Sequence, residues 1–396
     1  MRIVLGGVIS RNLSGEVLHR RAYAEGLRRL GHDVLWMEEL SPEACVDERG
    51  RPTDYARCAN TRRFRQAMRT LDLEGRCTQI YDGGTSTVGL DMDATLAEVG
   101  SADLLLNFSG HVRHPDVLER IPRRAYLDSD PVFTQLWHEE YDVDLGFGDH
   151  HVFFTRGANV GTERSPVPTC GLRWRPYMPP LVMDRWPAPS APAAGPFTTV
   201  AAWGRYGDLE HGGEWYRSKN VEFARFADLP RAAGRDFRLA LSGDEYDPPT
   251  FDRLVAGGWE VVDGGSLGSL DAYLGFIRSS GAEIGIAKHA YVKGRVGWFS
   301  ERSTQYMASG KPVLVQDTGL EGVLPTGRGL LTFRTLGEAV AGADAIASDY
   351  DAHARAAREL AREHFDHRAR LGALLDACFD GGPEPAPAGP GRRSAR

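Results

Sequence analysis

Hydrophobic and polar positions change period twice within the first forty residues. Arg2–Val8 contains the apolar run Ile-Val-Leu and two glycines, a pattern typical of a buried strand and the turn that follows it. Gly15–Leu30 then has the spacing of an amphipathic helix, and Gly31-His32-Asp33 leads into a second apolar run. A strand, a helix and a strand joined by glycine turns predict a βαβ unit that opens a doubly wound parallel sheet.

The same rhythm of short apolar runs and longer helical stretches continues along the chain. Short apolar runs bounded by turn residues are expected of buried parallel strands. The further predicted strands are Ala102–Phe108, Arg124–Leu127, Val152–Thr155, Thr198–Trp203, Phe237–Leu241, Trp259–Val262, Glu283–Ala287 and Pro312–Val315. The predicted helices are Thr61–Leu71, Asn220–Arg231 and most of Leu336–Cys378.

Proline and alanine accumulate between Pro176 and Pro196, where the rhythm is interrupted. Such a stretch is excluded from helix interiors and central strands, so we interpret it as a semi-rigid linker. The chain is therefore predicted to be an α/β protein with two facing Rossmann-like domains and an interdomain cleft at the carboxyl ends of their strands. The predicted ranges are 1–183 for the N-terminal domain, 184–197 for the linker, 198–350 for the C-terminal domain, 351–380 for C-terminal helices and 381–396 for a disordered tail.

Composition and charge narrow the class of protein. The 396 residues carry 47 Lys and Arg against 54 Asp and Glu, a net charge of −7, and no basic surplus indicates a nucleic-acid partner. The sequence shows no apolar run long enough for a transmembrane helix and no signal-peptide pattern. Its five cysteines are scattered without CxxC spacing, which argues against disulfide scaffolding and a structural zinc site. We therefore expect a cytoplasmic protein without an integral membrane segment.

The segment from Gly285 to Leu320 combines a strand, a glycine-containing loop and a helix that Ser300 is expected to cap. The first turn of that helix would offer unpaired N–H groups and a partial positive charge, next to Arg302 and Ser303. Such an arrangement suits a phosphate group. The alternative is a capped surface helix with solvated cations.

A second basic pair lies at the start of the second half. Arg205 follows the strand Thr198–Trp203, and Lys219 stands at the start of the next predicted helix. An arginine and a lysine at a strand end and a nearby helix start are able to clamp a diphosphate from one side. The alternative is a pair of solvated cations that flank a loop.

The order of these motifs resembles the donor-binding half of the GT-B glycosyltransferases, above all the large retaining family four. Arg205 and Lys219 match the basic pair of that family, and Met307–Val313 (MASGKPV) matches the turn that follows its sugar-binding helix. One position departs from the family pattern, because Gln305 stands where the family has the second glutamate of its Glu-x7-Glu motif. The nearest carboxylate is Glu301, which shares a helix face with Gln305.

This resemblance implies a nucleotide-diphosphate sugar as co-substrate, with no other cofactor and no metal. The donor-binding residues that it implies are Gly7, Arg205, Lys219, Ser242, Lys288, Glu301, Arg302, Ser303, Gln305 and Thr318. The acceptor, a small molecule or a glycan, is expected on the N-terminal domain near Gly7, His111 and Asp130. His111, Asp130, Arg205 and Lys219 are the predicted catalytic residues.

Each of the acceptor-side residues has a structural alternative. His111 follows a predicted strand and is equally consistent with an exposed loop histidine, and Asp130 with an Asx turn before Pro131. The neighbouring pair His150 and His151 is not expected to bind a metal, because adjacent strand residues point to opposite faces.

The resemblance therefore implies a metal-independent, retaining glycosyltransferase in which the departing phosphate serves as the base. If only the wider fold were shared, Asp130 or His111 would act as the base of an inverting reaction. Two functions on the same fold stay open, a catalytically silent nucleotide-sugar-binding protein and a nucleotide-sugar epimerase. A dinucleotide-dependent oxidoreductase is disfavoured, since the first loop lacks the GxGxxG fingerprint.

Overall fold

The fold was obtained as a computed structural model that describes residues 1–10, 15–186, 195–203, 206–242 and 247–380. Within them, the first half of the chain builds an eight-stranded sheet. Its strands are β1 (Arg2–Gly6), β2 (Asp33–Leu40), β3 (Cys77–Tyr81), β4 (Ser86–Gly89), β5 (Leu104–Phe108), β6 (Arg124–Asp128), β7 (Val152–Thr155) and β8 (Trp174–Pro176). The helices of this half are α1 (Gly15–Arg29), α2 (Ala59–Leu71), α3 (Met92–Val99), α4 (Pro115–Arg120) and α5 (Phe133–Tyr141).

The strand order of this sheet is β4-β3-β2-β1-β5-β6-β7-β8. Neighbouring strands run parallel except β3 and β4. The chain leaves β1 in one direction and returns to place β5 on its other side, so the order reverses between these two strands. The carboxyl end of such a reversal is where doubly wound sheets bind ligands.

The second half repeats the plan. Its strands and its hairpin are β9 (Phe197–Ala202), β10 (Leu209–His211), β11 (Glu214–Tyr216), β12 (Phe237–Ser242), β13 (Glu260–Asp263), β14 (Ala282–Gly285), β15 (Val313–Gln316) and β16 (Leu330–Phe333). The helices are α6 (Lys219–Arg225), α7 (Leu229–Ala233), α8 (Pro248–Gly257), α9 (Leu270–Ser279), α10 (His289–Gly294), α11 (Glu301–Ala308), α12 (Leu336–Ser348), α13 (Tyr350–Phe365) and α14 (His367–Phe379). The parallel sheet has the order β13-β12-β9-β14-β15-β16, with its reversal between β9 and β14.

The chain crosses between the two halves twice, and the crossings lie side by side. The amide of Leu181 donates to the carbonyl of Phe365 at 2.6 Å, and the amide of His367 donates back to Leu181 at 2.9 Å. After this crossing α14 packs on α1 of the first half, where a Cβ on Gly26 would lie only 2.6 Å from Leu371. The C-terminal helix therefore returns to the first domain and ties the two halves together.

The α/β fold with two Rossmann-like domains and a cleft between them is confirmed, and several predicted strands match within one or two residues. The predicted helix Asn220–Arg231 is instead two short helices, α6 and α7, because Pro230 begins a new helix more readily than it continues one. Much of the predicted linker, residues 187–194, and the predicted tail, 381–396, lie outside the described residues. Within the described part of the chain, every helix is too short or too polar to cross a lipid bilayer.

Candidate functional site

A cleft of about 360 Å³ opens between the carboxyl ends of the two sheets. The first domain contributes the start of α1 and the loops after β5 and β6, and the second domain contributes the end of β9 and the starts of α6 and α11. Both strand-order reversals face this cleft. Predicted site residues that line it are His111, Asp130, Lys219, Ser242, Lys288, Glu301, Arg302 and Gln305.

Asp130 and Lys288 face each other across the cleft and form an ion pair at 2.6 Å. The Tyr291 hydroxyl donates to the same carboxylate oxygen at 2.7 Å, and the Tyr206 hydroxyl donates to the other at 3.0 Å. Burial alone would raise the pKa of Asp130, but the Lys288 ammonium and these phenols hold it below its usual range. The Lys288 ammonium also lies 4.0 Å from the centre of the Tyr206 ring. Asp130 is therefore an ionised group already held by three donors.

A second ion pair joins the domains at Arg156 and Glu301, 2.6 Å apart. Arg156 follows β7 and is 2% exposed, and it also donates to the carbonyl of Phe299 at 2.8 Å. Burial opposes ionisation of Glu301, but the Arg156 guanidinium lowers the pKa of this carboxyl well below its usual range. We call Asp130, Lys288, Arg156 and Glu301 the interdomain seam.

Lys219 differs from the seam residues, because its ammonium has no hydrogen bond or ion pair within the described residues. Burial, reinforced by the nearby charges of Arg302 and Lys288, lowers the pKa of Lys219 to about 7. A lysine in this state is a cation site without a counter-ion. An anion in the cleft would supply the missing charge and raise the pKa.

Several polar groups at the start of α11 have partners within the chain. The Ser300 hydroxyl caps it by accepting from the amide of Arg302 at 3.3 Å, as the sequence predicts. The Arg302 side chain turns to the buried Glu283 at 2.7 Å and to the carbonyl of Val200 at 2.7 Å. Gln305 accepts a hydrogen bond from the Tyr273 hydroxyl at 2.9 Å. The Arg302 guanidinium is therefore engaged by the protein itself, whereas the ammonium of Lys219 is not.

The wall of the first domain is built at the reversal between β1 and β5. Ser109, directly after β5, has φ of +53°, and Gly110 has φ of +65°, so the chain turns sharply before the exposed His111. Non-glycine residues in this region are strained, and such strain concentrates at ligand sites. His19 of α1 lies on the same wall, and burial lowers its pKa to about 3, which keeps the imidazole neutral.

Three predicted site residues do not line the cleft, and one is not described. A Cβ at Gly7 would lie 3.1 Å from Phe108, so this glycine serves the packing of the first sheet. Thr318 donates its hydroxyl to the carbonyl of Trp298 at 2.7 Å, and Ser303 is buried. Arg205 lies outside the described residues.

The cleft also contains residues that the sequence did not single out: Glu16, His19, Arg20, Tyr206, Tyr273, Tyr291 and Trp298. The hairpin β10–β11, which follows Tyr206, was missed as well. Its signal was present, since Gly212-Gly213 is a two-residue turn and both glycines have positive φ, +62° and +79°. The α1 residues carried no such signal, because they have the pattern of an ordinary amphipathic helix.

The structure resembles solved glycosyltransferases over nearly its whole length, whereas no protein-family model matches the sequence and no curated protein matches it significantly. An alpha-glucosyltransferase in complex with UDP and a 13-mer DNA is 13% identical, with a TM-score of 0.58 over 96% of this chain and 99% of that one. HepE of Anabaena, in complex with UDP and glucose, is 12% identical, with a TM-score of 0.55 over 95% and 98%. Sucrose-phosphate synthase of Thermosynechococcus elongatus is 11% identical, with a TM-score of 0.52 over 96% and 99%.

Two parallel sheets face each other across a cleft, and the final helix returns to the first domain. Structural similarity at 11–13% sequence identity shows a shared fold. Because the similarity covers 95–96% of this chain, it includes both domains. The chain therefore has the GT-B fold of these glycosyltransferases.

Proposed function

We propose that the protein is a glycosyltransferase that moves a sugar from a uridine-diphosphate sugar to an acceptor hydroxyl. The observation that carries the proposal is Lys219, a cleft-facing ammonium without a counter-ion among the described residues and with a pKa lowered to about 7. A diphosphate supplies the missing negative charge, and the ammonium stabilises it as it leaves the sugar. The UDP bound to two of the similar structures supports uridine as the base.

Metal independence is part of the proposal and rests on the state of the carboxylates. Glu16, Asp130 and Glu301 line the cleft. Asp130 and Glu301 have close cationic partners, Lys288 at 2.6 Å and Arg156 at 2.6 Å, whereas Glu16 has only a long contact to Arg20 at 3.4 Å. A divalent cation would have to compete with these partners for its oxygen ligands. Cationic side chains, Lys219 and in the proposal also Arg205, take the charge-neutralising role instead.

Retention of anomeric configuration is supported by the low pKa values of two side chains that could act as a base. An inverting reaction needs a base with a pKa near the working pH. The pKa of Asp130 is lowered and its oxygens are engaged, and the neutral His19 has a pKa of about 3. His111 lines the cleft and is exposed, so it is the base that an inverting reaction would use. In the proposal the departing phosphate takes this role instead.

The acceptor is proposed to be a small molecule or a glycan bound on the first domain. The DNA present with the similar alpha-glucosyltransferase belongs to that protein. This chain has a net charge of −7, which gives no reason to propose DNA as its acceptor.

Thermal unfolding with UDP, GDP, dTDP, ADP and CMP, each with and without EDTA, tests the proposal. UDP should raise the midpoint most, equally with EDTA, and UDP-glucose should be slowly hydrolysed. UDP binding without hydrolysis or transfer would instead favour a silent binding protein, and sugar epimerisation without acceptor would favour an epimerase. If no nucleotide shifts the midpoint, the diphosphate role of Lys219 is wrong.

A further inference from the structure

Arg20 on α1 is a buried cation whose hydrogen-bonding capacity is mostly unused. The residue is 6% exposed and lines the cleft. Within the described residues, its Nε and Nη1 have no hydrogen-bond partner. Its one ionic contact is from Nη2 to Glu16 at 3.4 Å, a long separation to a side chain that is 30% exposed. A buried guanidinium without a close counter-charge is costly, and the cost is removed when an anion binds.

The position of this guanidinium is fixed by packing. Its central carbon lies 3.8 Å from the centre of the Phe108 ring, a cation–π contact. Tyr23 packs edge-on against the same ring at 5.0 Å, and its buried hydroxyl also lacks a partner within the described residues. Donor groups of two side chains are therefore left unsatisfied around one aromatic ring.

This cluster lies on the first domain, at the place where doubly wound sheets bind ligands. Phe108 ends β5, and β5 and β1 are the strands between which the order of the first sheet reverses. Lys219 lies in the second domain, where it is the first residue of α6. Among the described residues, the cleft thus has a cation without a close counter-ion on each domain, Arg20 and Lys219.

We infer that the acceptor carries an anionic group, a phosphate or a carboxylate, and that Arg20 binds it. This inference rests on the proposed function, because it assigns the first domain to the acceptor. A planar guanidinium binds the two oxygens of such a group through two parallel N–H donors. Nε and Nη1 are enclosed, so the Arg20 side chain has to turn toward the cleft, away from Glu16, to present them. Glu16 competes for the same guanidinium and weakens the site.

Titration calorimetry on the full chain, with UDP at saturation, tests the inference. The probes are glucose 6-phosphate, glucuronate and neutral glucose, with inorganic phosphate and acetate as the smallest anions. We expect a phosphate-bearing or carboxylate-bearing probe to bind at least about tenfold more tightly than glucose, the effect of one charged hydrogen-bonded pair. Whichever anion binds more tightly identifies the anionic group.

The variant Arg20→Gln should lose this preference, whereas Arg21→Gln should keep it. Arg21 is the next residue on α1, and it pairs with Glu25 at 3.4 Å instead of lining the cleft. Glu16→Gln should strengthen anion binding, since it removes the competing carboxylate. This opposite effect keeps the test decisive if Arg20→Gln does not fold.

The inference is overturned if no anionic probe binds better than glucose, if the preference survives in Arg20→Gln, or if Glu16→Gln has no effect. Competition between the anions and UDP would also overturn it, because the anion would then occupy the diphosphate site. Failure of UDP itself to bind would contradict the proposed function. The anion titrations can also be carried out without nucleotide. Failure of the anion site is therefore distinguishable from failure of UDP binding.

Discussion

Two lysines of the second domain face the same cleft and differ in their surroundings. Lys288 is held by Asp130 at 2.6 Å and by the Tyr291 hydroxyl at 3.0 Å, with aromatic rings around its ammonium. Lys219 has no such partner among the described residues, and its pKa is lowered to about 7. A cation that the protein neutralises itself holds the domains together, whereas a cation left without a counter-ion is available to a ligand.

The same contrast separates the interdomain seam as a whole from the ligand-facing side chains. In the seam, carboxylates and cations from opposite domains meet in short pairs. Each seam residue thus contributes to the contact between the domains. Sequence reasoning placed Lys288, Glu301 and Asp130 in the donor or acceptor site because their charge and position fit. In the structure, these charges also form the ion pairs between the two domains.

The largest expected effect comes from removing the charge of Lys219. In Lys219→Ala the UDP-glucose diphosphate loses its ammonium, and we expect hydrolysis to slow by about 100- to 1000-fold, as for other single groups that stabilise developing charge. Lys293→Ala is the matched control, because Lys293 pairs with Glu214 outside the cleft. Equal effects in the two variants would contradict the comparison between Lys219 and the paired lysines.

The seam is tested by Arg156→Gln, which leaves the Glu301 carboxylate without its buried partner. We expect the free energy of unfolding to fall by about 1–3 kcal/mol in urea denaturation, less than for a fully buried pair because the Glu301 side chain is 36% exposed. Arg51→Gln, which breaks an exposed pair with Asp47 at 2.8 Å, should cost less than about 1 kcal/mol. A similar cost for both would mean that the Arg156 pair stabilises the fold no more than an exposed pair does.

The pH dependence of UDP-glucose binding sharpens the assignment of Lys219. Its pKa is about 7 in the free protein and rises when the diphosphate binds, so binding takes up a proton above pH 7. Affinity should be greatest below pH 7 and fall by up to about tenfold per pH unit above it. Calorimetric titrations between pH 6 and 9 measure this slope. Lys219→Arg should flatten it, because arginine stays charged throughout.

The smallest effect is expected for Asp130→Asn. Loss of this carboxylate weakens its bonds to Lys288 and the two tyrosines, and we expect a loss of about 1–3 kcal/mol in stability. UDP-glucose hydrolysis should change less than about tenfold, with the shape of its pH profile retained. Asp144→Asn, in an exposed pair with Arg113, provides the control. A loss of several orders of magnitude would restore Asp130 as the base of an inverting reaction.

Sequence patterns were sufficient where the physical cause is local. The strand Val152–Thr155 was predicted with its observed bounds, and Ser300 caps α11 as its residue type suggests. The hairpin after Tyr206 was missed although its Gly-Gly turn is a local signal, because the three-residue strands of an isolated two-stranded sheet carry little apolar pattern. The role of Arg20 had no local signal, since a helix face shows only after folding whether its cation has a partner.

The sequence by itself determined the α/β fold, its division into two strand-and-helix halves and the charged residues near the strand ends, because hydrophobic period and turn chemistry act over a few residues. Only the tertiary structure decided which of those charges meet. Asp130 and Lys288 are 158 positions apart, and Arg156 and Glu301 are 145 apart. A charged side chain joins the domains when folding brings an opposite charge to it, and it is available to a ligand when folding does not. In both of these ion pairs the partner comes from the other domain.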